Sequence, residues 1–258
     1  MPTDATATIA RPASPSRRTT APSRPALLEN YFYFLMTLLI AGIVVYGFSH
    51  TVDQNLFHPA VPRPFILYVH AAVFSGWLVL FVLQSTLVRS HHVRWHRRVG
   101  LFGAGLGALI PVLGVATAIT MGRFNLLQLH QAGAEAFLII PLWDMATFTP
   151  AFALAVYWRK KPEFHRRLIL IACCALTAAS FGRFPPNILP RIVFYAGVDF
   201  LILLGVVRDL IVNRSIHQVY RYALPAIILG QIVVMYTATV EPAAWMRIAH
   251  AFLGDEGA

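Results

Sequence analysis

Charge is scarce in this chain, and what there is has mostly one sign. Charged residues make up 12% of 258 positions, where soluble domains carry roughly 25%. A water-exposed globular surface is therefore excluded. Acids number 11 against 21 Lys and Arg, and only Lys160 and Lys161 are lysine. Cysteine is limited to the adjacent Cys173 and Cys174, which point about 100° apart on a helix. They match no disulfide framework, redox motif or metal spacing. The chain has no phosphate-binding loop, no His-Glu-x-x-His and no nucleophile elbow, so hydrolytic and nucleotide-dependent chemistry is poorly supported. The glycine run Gly103-x-Gly105-x-Gly107 lies inside an apolar stretch with no preceding strand, which excludes a nucleotide loop.

Long apolar runs take the place of charge. Residues 1–27 are Ala-, Pro-, Ser-, Thr- and Arg-rich and cannot bury enough surface to order, so a disordered tail is expected. Seven runs of spanning length follow, at about 30–50, 64–88, 99–120, 133–158, 167–185, 191–212 and 219–240. The net charge of +10 would suit a nucleic-acid partner, but the cations sit in short clusters between apolar runs, where they report topology. Alternate inter-run segments hold 16 and 5 cations. The expectation is an all-α bundle of seven transmembrane helices, N-terminus in the cytoplasm and C-terminus outside, in a bacterial inner membrane. No nucleic acid is expected as a partner. Residues 241–258 should form a short interfacial helix and tail, with Trp245, Ile248, Ala249, Phe252 and Leu253 on one face.

Two hairpins repeat. Trp95-His96-Arg97-Arg98-Val99 opens the third run and Phe164-His165-Arg166-Arg167-Leu168 the fifth. Each precedes a helix rich in small residues, and the Gly103–Gly107 and Ala178–Gly182 spacings allow close helix approach.

Ionisable groups within spans are the default places to look for function, because each is costly there. Asp144, Arg183 and Asp199 form one polar set, with an Arg183–Asp199 ion pair as its structural reading and a proton- or cation-coupled site as its functional one. The histidines form two layers, His70 with His130 and His96 with His165. Imidazoles facing each other from two helices can clamp haem iron, so haem b is the cofactor such pairs would hold and its iron the one metal considered. Against this stands the plainer expectation that His96 and His165 anchor the helix ends at the interface.

His70, Trp77 and Gln84 in one span, then His96-Arg97-Arg98-Val99-Gly100, then His165-Arg166-Arg167-Leu168 and Arg183, resemble an uncharacterised family of bacterial multispanning membrane proteins. That family is a domain of unknown function with two His-Arg motifs, and the likeness spans about residues 65–185. The layout is also similar to cytochrome b561-type haem proteins in helix count and paired histidines. The uncharacterised family supplies no established activity; the paired histidines and the layout point to a haem- or quinone-associated redox or accessory protein with a redox partner. The alternative is a small-solute transporter coupled to protons or cations through Asp144, Asp199 and Arg183.

Overall fold

The computed structural model describes residues 24–254, with side chains from residue 28 onward. The expected tail at 1–23 and the last four residues lie outside the described residues. Every regular element among the described residues is a helix. Six of these are long and apolar enough to cross a membrane, which makes the chain a multi-pass membrane protein.

The first hairpin neighbour is α1 (Arg24–Ser49), followed by α2 (Phe65–Arg89) and α3 (Val93–Leu127). α1 opens at Arg24, inside the stretch expected to be tail. α3 has 35 residues, about 52 Å at 1.5 Å per residue, and runs well past the expected 99–120. The His-Arg-Arg motif is thus part of its first turns rather than a loop before it. The fourth crossing is broken into α4 (Ala134–Phe137) and α5 (Ile139–Tyr157). Pro141 gives the reason, since it has no N–H to offer the carbonyl of Phe137. The fifth is α6 (Pro162–Leu176) with a last turn, α7 (Ala178–Phe181), and begins with proline at its N-terminus, where the missing donor costs nothing.

α8 (Phe194–Asn213) has 20 residues, yet it is not among the six apolar spans. Asp199, Arg208 and Asp209 all fall within it, so it exceeds the charge that defines a plainly apolar crossing. α9 (Gln218–Val240) follows, and α10 (Ala243–Leu253) closes the described chain. α10 lies over α3 and α4, its Ala249 and Leu253 fully buried. Its Ile248 and Phe252 stay exposed, so only part of the expected apolar face is used for capping.

The two repeated hairpins form the centre. α2 packs along α3, α5 along α6, and α3 against α5. Glycines on α3 permit this. A Cβ on Gly103 would meet Leu80 of α2, and one on Gly107 or Gly114 would meet Phe152 or Met145 of α5. The Ala178–Gly182 pair does not work alike, because a Cβ on Gly182 would approach only carbonyls of its own turn. The innermost layer is aromatic: Trp77 stands edge-on to Phe148 and Phe152, which stack on each other with centroids 5.4 Å apart.

Candidate functional site

One end of the bundle gathers the arginine-rich turns. His96 in the first turn of α3 and His165 in that of α6 face each other there, ring centroids 6.4 Å apart and planes at 79°. Among the described residues no hydrogen bond joins the two imidazoles. Each is oriented by a neighbour on the helix of the other hairpin arm. His165 Nδ1 lies 2.9 Å from the carbonyl of Ala155 on α5, which can only accept. Nδ1 therefore carries the proton and Nε2 keeps its lone pair. Gln84 on α2 orders His96. With its amide turned so that both ends are paired, Nε2 donates to His96 Nδ1 at 2.5 Å, and Oε1 accepts from the Gly100 N–H at 2.8 Å. His96 Nδ1 is then an acceptor, and its proton sits on Nε2.

The pair is thus complementary, an N–H donor on His96 and a lone pair on His165. A metal ion held by both would need two lone pairs. The ring spacing suits haem iron, but the donor set suits it only with Gln84 reversed, which would set its oxygen against the His96 carbonyl. Among the described residues no group of three or more His, Cys, Asp or Glu side chains could hold a metal ion.

His70, Trp77 and Gln84 recur every seven residues and mark one face of α2. His70 lies at the far half of the bundle, stacked on Phe74 at 3.9 Å between centroids, with Nδ1 buried and unpartnered. His130 does not meet it. It is exposed after α3, in a left-handed backbone conformation with φ of 46°, and lines a crevice of about 410 Å³ with Glu135 and Glu241.

The acids separate. Asp144 on α5 is buried and accepts from the Tyr195 hydroxyl of α8 at 3.0 Å. Asp199 sits one turn along α8 from Tyr195 and faces Gln231 of α9. No cation lies within ion-pair distance of either acid among the described residues. The expected Arg183–Asp199 pair is not formed. Arg183 instead donates to Thr51 Oγ1 at 3.2 Å and to the Ala179 carbonyl, with its guanidinium 4.4 Å over the Phe48 ring. The turn after α7 carries it toward α1 rather than down along α8.

A second polar cluster was not anticipated. Arg167 grips Asp209 with two bonds, Nε to Oδ2 at 2.8 Å and Nη2 to Oδ1 at 2.6 Å. Its Nη1 donates to the Glu163 carbonyl and carboxylate at 2.6 and 2.7 Å. Arg208 donates to Asp209 at 3.0 Å, as does Asn213 at 3.1 Å. Arg167, Arg208 and Asp209 are all fully buried. The signal was present: an Arg-Asp dipeptide late in an apolar run, at the same end as the His-Arg-Arg motif, is a ready partner for it. Counting arginines only as topology markers hid that. At the edge of this cluster His217 caps α9, its Nδ1 accepting from the Val219 N–H at 3.2 Å. Burial, reinforced by the nearby Arg167, holds its pKa below the usual imidazole range.

No protein-family model matches the chain, and no curated protein or solved structure matches it. The functional reading therefore rests on its own geometry.

Proposed function

We propose that the chain is a seven-helix redox protein of the bacterial inner membrane, with its N-terminus in the cytoplasm, its C-terminus outside, and α8 as the seventh crossing. Its reactive site is the His96–His165 pair, and its substrate class is a quinone or quinol. The observation that carries this reading is the pair of facing imidazoles, with His165 Nδ1 against the Ala155 carbonyl and His96 Nδ1 beside the Gln84 amide, partners that favour complementary tautomers. One oxygen atom between them, about 2.8 Å from each nitrogen, can accept from His96 Nε2–H and donate to His165 Nε2. A quinol hydroxyl has that dual character. When the quinol gives its two electrons to a redox partner, His165 takes the proton of the bound hydroxyl, the second hydroxyl releases its proton to water, and His96 holds the oxygen as it becomes a carbonyl. The site lies at the basic end of the bundle, and the excess of cations there supports its placement at the cytoplasmic leaflet. Membership of the two-His-Arg-motif family is part of this proposal, as is the choice of quinone over haem b.

The test is a pair of measurements on detergent-purified protein: an absorbance spectrum and anaerobic titration with a short-chain quinol. Saturable quinol binding weakened about tenfold by His165→Ala, without a Soret band, supports the reading; the loss corresponds to one charge-neutral hydrogen bond of about 1–1.5 kcal/mol. A Soret band lost in both His96→Ala and His165→Ala replaces quinone with haem. Absence of both signals ends the redox assignment.

One observation favours a second reading. Asp144, buried and bonded to Tyr195 of α8, and Asp199, half-buried one turn further along α8, have no cation partner among the described residues, an arrangement compatible with a proton-coupled solute pathway. Proteoliposomes bearing Asp144→Asn or Asp199→Asn would then lose proton flux that the unaltered chain supports.

A further inference from the structure

The buried cluster around Asp209 carries more positive than negative charge. Arg166, Arg167 and Arg208 meet only Asp209 and Glu163 among the acids bonded to them. Arg167 spends its bonds on those two acids. Arg208 does not. Its Nη1 is used by Asp209, while Nε and Nη2, the two donors along one edge of the guanidinium, are buried without a partner. An unpaired buried cationic edge is strongly unfavourable.

Its surroundings point the same way. The Tyr33 ring of α1 lies beneath two guanidiniums, with Arg208 Cζ at 5.6 Å and Arg166 Cζ at 5.2 Å from its centroid. The Tyr33 hydroxyl is buried and unpartnered, and so are Arg166 Nε and the Tyr220 hydroxyl. Tyr220 reaches this place because Gly205, one turn before Asp209, has no side chain to exclude its hydroxyl. The unpartnered atoms are all hydrogen-bond donors, none is an obligate acceptor, and the local charge is in excess by one cation. An edge of Nε and Nη2 is the geometry that takes two oxygens of one tetrahedral anion.

We propose that the Nε/Nη2 edge of Arg208, with the Tyr33 hydroxyl, binds a phosphate-class anion at the basic end of the bundle. The shared chemistry is a phosphate group, from an acidic phospholipid headgroup or from free inorganic phosphate. The site is separate from His96 and His165 and does not depend on the redox reading.

Thermal unfolding of the full chain in neutral detergent tests it, with three additions: inorganic phosphate, phosphatidylglycerol, and phosphatidylcholine as the zwitterionic control. A saturable rise in Tm with phosphatidylglycerol alone identifies a lipid headgroup. A rise with inorganic phosphate identifies the free anion. Arg208→Gln should weaken either response at least tenfold in half-saturating concentration, the usual order for a charge-assisted pair. Tyr33→Phe keeps every charge, removes one donor and should weaken it severalfold. If Arg208→Gln does not fold, Tyr33→Phe decides alone. No rise with either phosphate probe, a rise matched by phosphatidylcholine, or an unchanged response in the folded variants overturns the proposal.

Discussion

Asp209 and Asp144 are both buried acids, and their neighbours give them opposite roles. Asp209 accepts four hydrogen bonds, three from Arg167 and Arg208 and one from Asn213. Asp209→Asn leaves Arg167 and Arg208 as buried cations with no counter-ion but Glu163. The expected loss is about 3–5 kcal/mol, the usual result of removing one partner of a buried pair. Asp144 has only the Tyr195 hydroxyl, and an asparagine Oδ1 can accept that bond. Asp144→Asn should change stability by less than about 1 kcal/mol. Thermal unfolding of the two variants in the same detergent compares them directly, and equal losses would contradict the account given for Asp209. The contrast also explains what the sequence could say at this scale. Asp144 stands out because it is an acid deep in an apolar run. Asp209 is three residues from a predicted helix end, where an acid looks solvated, and only the pairing of α6 with α8 reveals that it is sealed in.

Between elements, α3 shows how glycine spacing becomes packing. A methyl on Gly107 would enter the ring of Phe152, which is stacked on Phe148 and flanked by Trp77 and cannot retreat. Gly107→Ala should cost about 1–3 kcal/mol through overpacking. Gly105 has nothing within 4 Å of its would-be Cβ, so Gly105→Ala should stay within about 0.5 kcal/mol. Urea or thermal unfolding of the pair separates them, and a comparable loss at Gly105 would mean that α3 packs on a different face. The helix caps carry a pH dependence. His217 Nδ1 accepts the Val219 N–H only while that nitrogen is unprotonated, and burial together with Arg167 disfavours its charged form. Its folded pKa lies below the unfolded one, so the unfolded chain binds the proton more readily. Stability is then unaffected at high pH and falls as pH drops below about 6.5 toward the folded value. His217→Asn keeps a cap acceptor and should flatten that acid-side slope in Tm, with the slope of the unaltered chain as reference. Apolar periodicity placed all these helices nearly where they lie. It misjudged ends, extending α3 too little and taking the first turn of α1 for tail, since charged turns continue a helix past the apolar run without leaving a hydropathy trace.

At the scale of the molecule, the two repeated hairpins bring His96 and His165 to one end, as the duplicated motif suggested they could. That they share one end was readable from the repeat, which left open whether the rings face each other or anchor the helix ends at the interface. Their protonation was not readable, because it depends on Gln84 and on the Ala155 carbonyl, partners supplied by neighbouring helices. The same limit applies to α8. By composition it carries three charged residues and falls short of a plainly apolar span. In the fold, Arg208 bonds to Asp209 and Asp209 to Arg167 of α6, both α8 side chains are buried, and Asp199 faces Gln231, so little charge is left for lipid to meet. Its 20 residues amount to about 30 Å, the thickness of the hydrocarbon core. A crossing at α8 puts the turn before it and the turn after it on opposite sides of the membrane. Single cysteines introduced as Asn187→Cys and Ser215→Cys, in a background with Cys173→Ala and Cys174→Ala, report those sides. An impermeant maleimide on intact cells should label position 187 and reach 215 only after permeabilisation. The reverse pattern would keep α8 as a crossing and invert the whole bundle, moving His96 and His165 outside. Labelling of both positions from one side would leave α8 folded back within the bundle, six crossings in total, and both termini on the same face.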